Sequence, residues 1–127
     1  MGFRVYDTEE KKWIKKDVYL SPNGDLFLIK QSLFGMVKVP LALDANRYIY
    51  HKAIDLRDKN QKQVYEGDYI RANVAEDKVV VGLVAFAPEL SAYVILSVDS
   101  DEFYTLGSSV SSEIEIVSNV FDGHNEV

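Results

Sequence analysis

Cysteine is absent from this chain of 127 residues. Disulfide bridges, cysteine zinc sites and thiol catalysis are therefore excluded. Long hydrophobic runs are also absent, and the longest uncharged apolar run, residues 79–88, is too short to cross a bilayer as a helix. The N-terminus is charged from Arg4 onward and lacks the apolar region that signal peptides carry. We therefore expect a soluble, cytoplasmic protein with no membrane partner.

Patterns of catalytic residues are equally scarce. The two histidines, His51 and His124, lie far apart in the sequence and show no metal-binding spacing. The serine-rich stretch near the C-terminus contains no G-x-S-x-G motif, no evident base and no phosphate-binding glycine loop. Its serines are Ser108, Ser109, Ser111 and Ser112. We interpret this stretch as a polar loop.

Acidic residues are the remaining candidates for chemistry. The run Asp99-Ser100-Asp101-Glu102 resembles the start of a calcium loop, but Tyr104 and Val110 stand where that loop needs glycine and glutamate. We therefore interpret the run as a solvated turn. A hydrolytic carboxylate pair would require separate turns to converge, and turn chemistry already accounts for the residues that could form one. These residues are Asp7, Asp58, Glu66 and Asp68.

The sequence thus predicts no catalytic, cofactor-binding or metal-binding residue, and we expect the protein not to be an enzyme. An enzyme of unrecognised type would need a carboxylate or histidine site that only the fold assembles. Such a site would be visible as a deep pocket with polar residues.

Charge is divided unevenly along the chain, whose formal net charge is -6. Residues 1–52 carry nine Lys and Arg against six Asp and Glu, whereas residues 53–127 carry five against fourteen. The acidic balance opposes nucleic-acid binding, because affinity for nucleic acid depends on neutralising phosphates. The N-terminal cations are the best placed to contact phosphate, although they also suit an exposed, soluble hairpin. They are Arg4, Lys11, Lys12, Lys15 and Lys16.

Apolar residues recur with a period of two, which is typical of strands. A first hairpin is expected around the polar turn DTEEKK. The stretch SPNG predicts a second hairpin, with Gly24 in the left-handed conformation. The next segment alternates poorly. Pro40 either limits a strand there to a sheet edge or ends it, and a short helix or coil over residues 41–46 is possible.

Short strands recur from Tyr69 onward with turn signals between them, and Gly82 within a long apolar strand suggests a bulge or bend. We predict a mainly β fold, with antiparallel hairpins followed by a small barrel-like, SH3-like C-terminal part. The length suits a single domain, 1–127. Within it we expect an N-terminal hairpin lobe at about 1–52 and a C-terminal lobe at about 53–121.

The stretch 57–68, RDKNQKQVYEGD, places polar residues on both sides of Val64-Tyr65. Two chain reversals close together explain this composition, because each reversal leaves backbone groups to water. Asp58 and Asp68 can each accept a hydrogen bond from the backbone N–H group two residues on, which tightens a turn without any catalytic purpose.

Three blocks of the sequence resemble the YopX family of small proteins encoded by phages and prophages. The blocks are FRVYDTEEKKWI, LRDKNQKQVYEGDYIR and IEIVSNVFD, and they follow the family's order over nearly the whole chain. The matching residues of the middle block are Leu56, Asp58, Lys59, Asn60, Lys62, Tyr65, Glu66, Gly67 and Asp68. The resemblance implies a mostly β fold with a barrel-like C-terminal part, an origin in a phage or prophage, and no established biochemistry.

The chain departs from the family pattern at several positions. Ile54-Asp55 stand in place of Thr-Gly, Ser118 replaces a glycine, and His124 stands near a usual proline. Gln61 replaces the turn glycine, so Gln61 must either take a positive φ or form a different turn.

Aromatic residues are abundant, with eight tyrosines, six phenylalanines and one tryptophan. Most aromatic residues of strands pack in cores and across strands, but some of these could form a binding face. The candidates are Tyr48, Tyr50, Tyr69, Tyr93 and Tyr104.

Our leading hypothesis is a non-enzymatic phage accessory protein in the cytoplasm of the bacterial host. It would bind an unknown host or phage protein, and its unlike-charged parts could also favour a homo-oligomer. The alternative is a small β-barrel that binds single-stranded nucleic acid by stacking.

Overall fold

The computed structural model describes residues 2–15, 18–31, 38–75, 78–106 and 113–121. These residues form twelve strands: β1 Phe3–Asp7, β2 Lys12–Trp13, β3 Val18–Leu20, β4 Leu26–Gln31, β5 Lys38–Ala42, β6 Tyr48–Arg57, β7 Gln63–Tyr65, β8 Asp68–Ala75, β9 Lys78–Ala87, β10 Ala92–Ser97, β11 Phe103–Thr105 and β12 Glu115–Asn119. A single 3-10 turn, Pro88–Leu90, joins β9 to β10, and no α-helix occurs in these ranges. No helix in the described part of the chain is long and apolar enough to cross a membrane.

The strands form antiparallel sheets with the orders β3-β4-β5, β2-β1-β6-β7 and β11-β10-β9-β8-β12. The predicted mainly β fold of antiparallel hairpins is therefore confirmed. Two compact units are present, an N-terminal unit of residues 4–50 and a C-terminal unit of residues 1–3 and 51–127. The single domain 1–127 with lobes at about 1–52 and 53–121 stays a prediction.

In the N-terminal unit, turn chemistry places the strands as the sequence predicts. Gly24 has φ 90° and donates its N–H to the carbonyl oxygen of Ser21 (3.0 Å), which closes the β3–β4 hairpin. Pro40 lies in β5, which is an edge strand of its sheet, so the missing N–H of proline costs no central hydrogen bond. β5 ends at Ala42, and the Arg47 N–H bonds to the Asp44 carbonyl oxygen (3.0 Å) in a turn.

In the C-terminal unit, the five-stranded sheet forms a half-barrel with one apolar face turned inward. The β6–β7 hairpin contributes two residues to the core on that face, and the sheet and the residue before β12 contribute the others. The core residues are Ile54, Val64, Ile70, Ala72, Val84, Ile95 and Ile114. In β8 the buried side chains of Ile70 and Ala72 alternate with the exposed side chains of Arg71 and Asn73, which explains the two-residue period of that stretch. In β10 the adjacent residues Val94 and Ile95 are both buried. The predicted barrel-like C-terminal part is confirmed.

Gly82 lies where two strands and a side chain come unusually close together. Gly82 pairs with Ile70 in β8 and with Ser97 in β10, and neither pairing shows a register shift at this position. A Cβ atom at Gly82 would lie 2.6 Å from the Leu96 carbonyl oxygen. The glycine therefore permits a close approach of the backbones. The register shift of the β8–β9 pair lies between Asn73 and Ala75 and not at Gly82.

Candidate functional site

Asp58 is a buried carboxylate that three backbone N–H groups surround. Its Oδ1 accepts hydrogen bonds from the N–H groups of Asn60 (2.8 Å) and Lys62 (2.9 Å), and its Oδ2 accepts one from Ile116 (3.2 Å). Gln61, in the same turn, has φ 66°, so the expected alternative of a positive φ is the one that occurs. Burial alone would raise the pKa of Asp58, but the three N–H donors outweigh burial and hold the pKa below its usual value. Asp58 thus joins its own turn to the residue at the start of β12.

The second reversal in the stretch 57–68 depends on Asp68 and Gly67. Asp68 is buried, and its Oδ2 accepts a hydrogen bond from the Tyr65 N–H (2.8 Å), which lies three residues before it rather than two residues after. Gly67 has φ 88°, which few residues with a side chain adopt. The Gly67 N–H donates to the Val84 carbonyl oxygen (2.9 Å), and the Gly67 carbonyl oxygen accepts from the Val120 N–H (3.0 Å).

His51 packs directly on this turn. A Cβ atom at Gly67 would lie 2.7 Å from Nδ1 and 2.9 Å from Nε2 of the His51 ring. The ring also stacks on Phe121, with centroids 5.3 Å apart and an interplanar angle of 13°. His51 therefore closes the end of β12 over the turn. His124, the second histidine of the chain, lies outside the described residues.

Asp7 in the N-terminal unit is, like Asp58, a buried carboxylate that accepts several hydrogen bonds. Its carboxylate accepts two hydrogen bonds from the Arg47 guanidinium, Nε to Oδ1 and Nη2 to Oδ2, each 2.8 Å long. Oδ1 also accepts the backbone N–H groups of Glu9 (3.0 Å) and Glu10 (3.2 Å). These hydrogen bonds, with that from Arg47 the strongest cause, hold the pKa of Asp7 well below its usual range. The carboxylate thus accepts hydrogen bonds both from its own β1–β2 turn and from Arg47, just before β6.

The expected role of the acidic residues as turn supports is thus visible at each buried aspartate. The Glu66 carboxylate accepts a hydrogen bond from the backbone N–H of Lys52 in β6 (3.3 Å). The run 99–102 forms the turn between β10 and β11 with its acidic side chains exposed. Among the described residues no group of three or more His, Asp or Glu could hold a metal ion. The serines at 108, 109, 111 and 112 fall outside the described ranges, as does Lys16.

A cavity of about 180 Å³ is present in the N-terminal unit, between the β3–β4 turn and the segment that leads into β6. This volume is below the roughly 300 Å³ at which ligand pockets begin. Two of the candidate tyrosines lie in the wall, which consists of Gly24, Asp25, Leu26, Leu43, Ala45, Tyr48, Ile49 and Tyr50. The cavity therefore has no room for a cofactor or for a substrate of ordinary metabolite size.

Apolar side chains are exposed at one end of the half-barrel, on the face opposite the core. Cross-strand pairing places Phe103 beside Leu96, and Leu96 beside Leu83, on one face of the sheet. Val98 donates its N–H to Val81 (3.1 Å) and so continues β10 along β9. Val79 lies two residues further along β9, on the same face.

Four of these side chains are strongly exposed. The exposed fractions are 57% for Val79, 42% for Leu96, 42% for Val98 and 54% for Phe103. We call these four residues the apolar patch. The turn beside the patch carries Asp99, Asp101 and Glu102, all exposed, and Lys78 Nζ lies 3.7 Å from Glu102 Oε1. The patch is therefore an apolar surface with a mostly acidic border.

The five candidate tyrosines are all half-buried in the structure. Tyr93 packs edge-on against Phe86 with centroids 5.1 Å apart, and burial raises the pKa of its hydroxyl. Tyr104 faces the core side opposite Ile95. The strongly exposed aromatic residue of this sheet edge is Phe103, its neighbour, which the sequence did not single out. Strand alternation separates the two residues, but only the register with β10 shows which of them is exposed.

Four of the N-terminal cations that the sequence singled out lie in or next to the β1–β2 hairpin. Lys11, Lys12 and Lys15 are exposed, and Lys11 has φ 57°. The Arg4 guanidinium lies over the Trp13 ring, 4.3 Å from its centroid. The lysines are thus exposed on a hairpin, as the sequence predicts, and Glu9 and Glu10 are exposed in the same turn.

Comparisons with known proteins agree with this architecture. The family model described as "YopX protein" matches residues 2–125. The crystal structure of protein yopX from Bacillus subtilis is similar at a TM-score of 0.62 and 17% identity, over 95% of this chain and 93% of that chain. Protein EF1440 from Enterococcus faecalis matches at a TM-score of 0.49 and 17% identity, over 94% and 92% of the respective chains. No curated protein matches the chain. The chain belongs to the YopX family.

Proposed function

We propose that this chain is a non-enzymatic accessory protein of a phage or prophage that acts in the cytoplasm of its bacterial host by binding another protein. The family resemblance supports the proposed origin, and with it the proposed compartment. The observation that carries the binding function is the apolar patch. Four large apolar side chains exposed side by side at one end of a sheet are a feature of interaction surfaces rather than of an ordinary solvated face.

The partner that best fits this patch has apolar side chains surrounded by basic ones. The C-terminal unit carries six Lys and Arg against fourteen Asp and Glu, and three of its exposed acidic residues border the patch. Opposite charge around an apolar centre accelerates association and disfavours partners of the wrong sign. A second acidic copy of the same unit would be repelled at this face.

The buried aspartates support a non-enzymatic function. A general base needs a free lone pair directed at a substrate, whereas the carboxylates of Asp7 and Asp58 accept several protein hydrogen bonds each. Protein hydrogen bonds also keep the pKa of each group low, so that neither would hold or release a proton near neutral pH.

Self-assembly is a further part of the proposal and would use a different pairing of surfaces. The N-terminal unit carries eight Lys and Arg against six Asp and Glu, the opposite sign to the C-terminal unit. Contacts between the N-terminal unit of one copy and the C-terminal unit of the next are therefore electrostatically favourable. Sedimentation at low salt should reveal oligomers that dissociate as salt is added. A monomer at every concentration and salt would remove this part.

Single-strand nucleic-acid binding is the second candidate. Its support is the exposed aromatic ring of Phe103 on the half-barrel sheet and, separately, the exposed lysines of the β1–β2 hairpin. Phe103 belongs to the strongly acidic unit, however, where phosphate would be repelled. Affinity for an oligonucleotide that falls steeply with salt would favour this candidate.

The test is affinity capture from nuclease-treated host lysate with three tagged proteins: wild type, a Leu96→Ser/Phe103→Ser variant and a Tyr19→Ser control. Tyr19 is equally accessible, with 53% of its surface exposed, but belongs to the N-terminal unit. We expect one protein to be captured in stoichiometric amount by wild type and control, and about tenfold less by the patch variant. Equal capture by all three proteins, or a protein that wild type captures from untreated lysate but not from nuclease-treated lysate, would contradict the proposal.

A further inference from the structure

The edge strand β11 presents backbone hydrogen-bonding groups next to the apolar patch. The Ser97 N–H donates to the Glu102 carbonyl oxygen (3.1 Å), and the Leu106 N–H donates to the Tyr93 carbonyl oxygen (2.9 Å). Hydrogen-bonded and non-hydrogen-bonded pairs alternate along an antiparallel ladder.

This alternation determines the direction of every backbone group in β11. Tyr104 stands opposite Ile95 in the hydrogen-bonded pair between those two bonds. Phe103 and Thr105 then occupy the non-hydrogen-bonded positions, so their N–H and C=O groups point away from β10. β11 is the last strand in the order of the sheet, and no other described strand lies on its outer side. Four backbone groups are thus directed at an open edge.

The side chains around this edge favour a partner strand that is apolar and basic. The Phe103 side chain is exposed on the same face as Leu96, so the patch continues up to the edge itself. Asp101 and Glu102 immediately precede the strand and are exposed. Acidic residues at a short edge protect it against a second acidic copy of the chain, and they attract a strand of opposite charge.

We propose that the partner supplies an extended, basic segment that adds to β11 as a sixth strand of the half-barrel sheet. This inference rests on the proposed protein-binding function and specifies its mode. Backbone hydrogen bonds to Phe103 and Thr105 hold the segment, and alternate apolar side chains of the segment cover Phe103 and Leu96. Lys or Arg at the end near Asp101 provides the charge match. Only an extended chain satisfies the edge groups and the patch together.

The first experiment measures binding of synthetic peptides to the wild-type protein. One peptide alternates Lys and Val over about ten residues, a second replaces Lys by Glu, and a third has the composition of the first in an order with helical periodicity. We expect only the alternating Lys-Val peptide to bind. Amide hydrogen exchange at Phe103 and Thr105 should slow about tenfold or more in the complex. Unchanged exchange at both residues, equal binding of the Glu peptide, or no binding of the alternating peptide would overturn the inference.

The second experiment removes one outward donor without removing a bond to β10. Thr105→Pro deletes the outward N–H, and Thr105→Ala is the matched control that keeps it. We expect Thr105→Pro to lower the affinity for the Lys-Val peptide about tenfold and Thr105→Ala to leave this affinity unchanged. Equal affinities of the two variants would overturn edge addition. If Thr105→Pro does not fold, the exchange measurement on the wild type decides.

The same variants separate this inference from the proposed function. If Thr105→Pro still captures the lysate partner whereas Leu96→Ser/Phe103→Ser does not, the protein-binding function stands and edge addition fails. If all of these variants capture the partner as wild type does, the patch itself is not the binding surface.

Discussion

Replacing Asp58 tests whether the polar stretch 57–68 is a structural element of the fold. Asp58→Ala removes the acceptor of three backbone N–H groups, whereas Asp58→Asn keeps an oxygen at the Oδ1 position for Asn60 and Lys62. In the asparagine variant the side-chain NH₂ group would face the Ile116 N–H, donor against donor. The two substitutions therefore remove three bonds and one bond, respectively.

The structure gives a magnitude for each loss. A hydrogen bond to a charged acceptor contributes about 1.5–3 kcal/mol, and a buried donor left alone costs about 1–3 kcal/mol. Asn60 and Lys62 are exposed, so water can replace part of what their N–H groups lose. We expect Asp58→Ala to lower the free energy of unfolding by about 3–4 kcal/mol and Asp58→Asn by about 1–2 kcal/mol. The larger loss is a sizeable part of the free energy of unfolding of a typical domain, which is roughly 5–15 kcal/mol.

Urea denaturation of purified variants, followed by far-UV circular dichroism, measures these losses. Asp55→Ala is the control, because Asp55 lies in the neighbouring strand β6 and is exposed. The control should change the free energy of unfolding by no more than about 0.5 kcal/mol. If Asp58→Ala costs no more than Asp55→Ala, or if Asp58→Asn costs as much as Asp58→Ala, the assignment of Asp58 as a backbone acceptor is wrong.

Two further predictions concern acid and the Gly67 turn. The pKa values of Asp7 and Asp58 are lower in the folded protein than in the unfolded chain, so the unfolded chain binds more protons in acid. The stabilisation is complete above the pKa of an unfolded aspartate, about 4, and is lost as the pH falls towards the lower pKa values of the folded protein. The urea concentration at the unfolding midpoint should therefore decrease once the pH is lowered below about 5. Asp58→Asn should flatten this decline, and an unchanged profile in that variant would contradict the pKa assignment. Gly67→Ala should lower the free energy of unfolding by about 2–4 kcal/mol, because Cβ would combine a positive φ with a clash against the His51 ring. Gly2→Ala is the matched control, since nothing lies within 4 Å of its Cβ, and equal stability of these two glycine variants would refute the steric argument.

Local turn chemistry was predictable from the sequence because its causes lie within a few residues. The Ser-Pro-Asn-Gly hairpin and the edge position of Pro40 follow from what one residue type can do with its own backbone. At Gln61 the sequence left a positive φ and a different turn open, and the positive φ is the one that occurs. The two-residue period predicted strands and a mainly β fold. These features need no knowledge of which strands become neighbours.

Long-range pairing was not predictable, and it determines the candidate site. Asp58 bonds the N–H of Ile116, which lies 58 residues further along the chain, and Arg47 bonds a carboxylate 40 residues before it. Nothing in either local sequence specifies such a partner. The sequence singled out Tyr104 and passed over Phe103 for the same reason, because the register between β10 and β11 decides which of the two faces outward.

We propose that the polar stretch 57–68 builds the fold whereas the apolar patch binds the partner. Capture of the lysate protein by Asp58→Asn and by Leu96→Ser/Phe103→Ser, compared side by side at equal amounts of folded protein, separates these two roles. We predict that Asp58→Asn, although less stable, captures as much partner as wild type, and that the folded patch variant captures about tenfold less. Loss of capture in Asp58→Asn together with full capture by the patch variant would contradict the claim and would place the function at the turn.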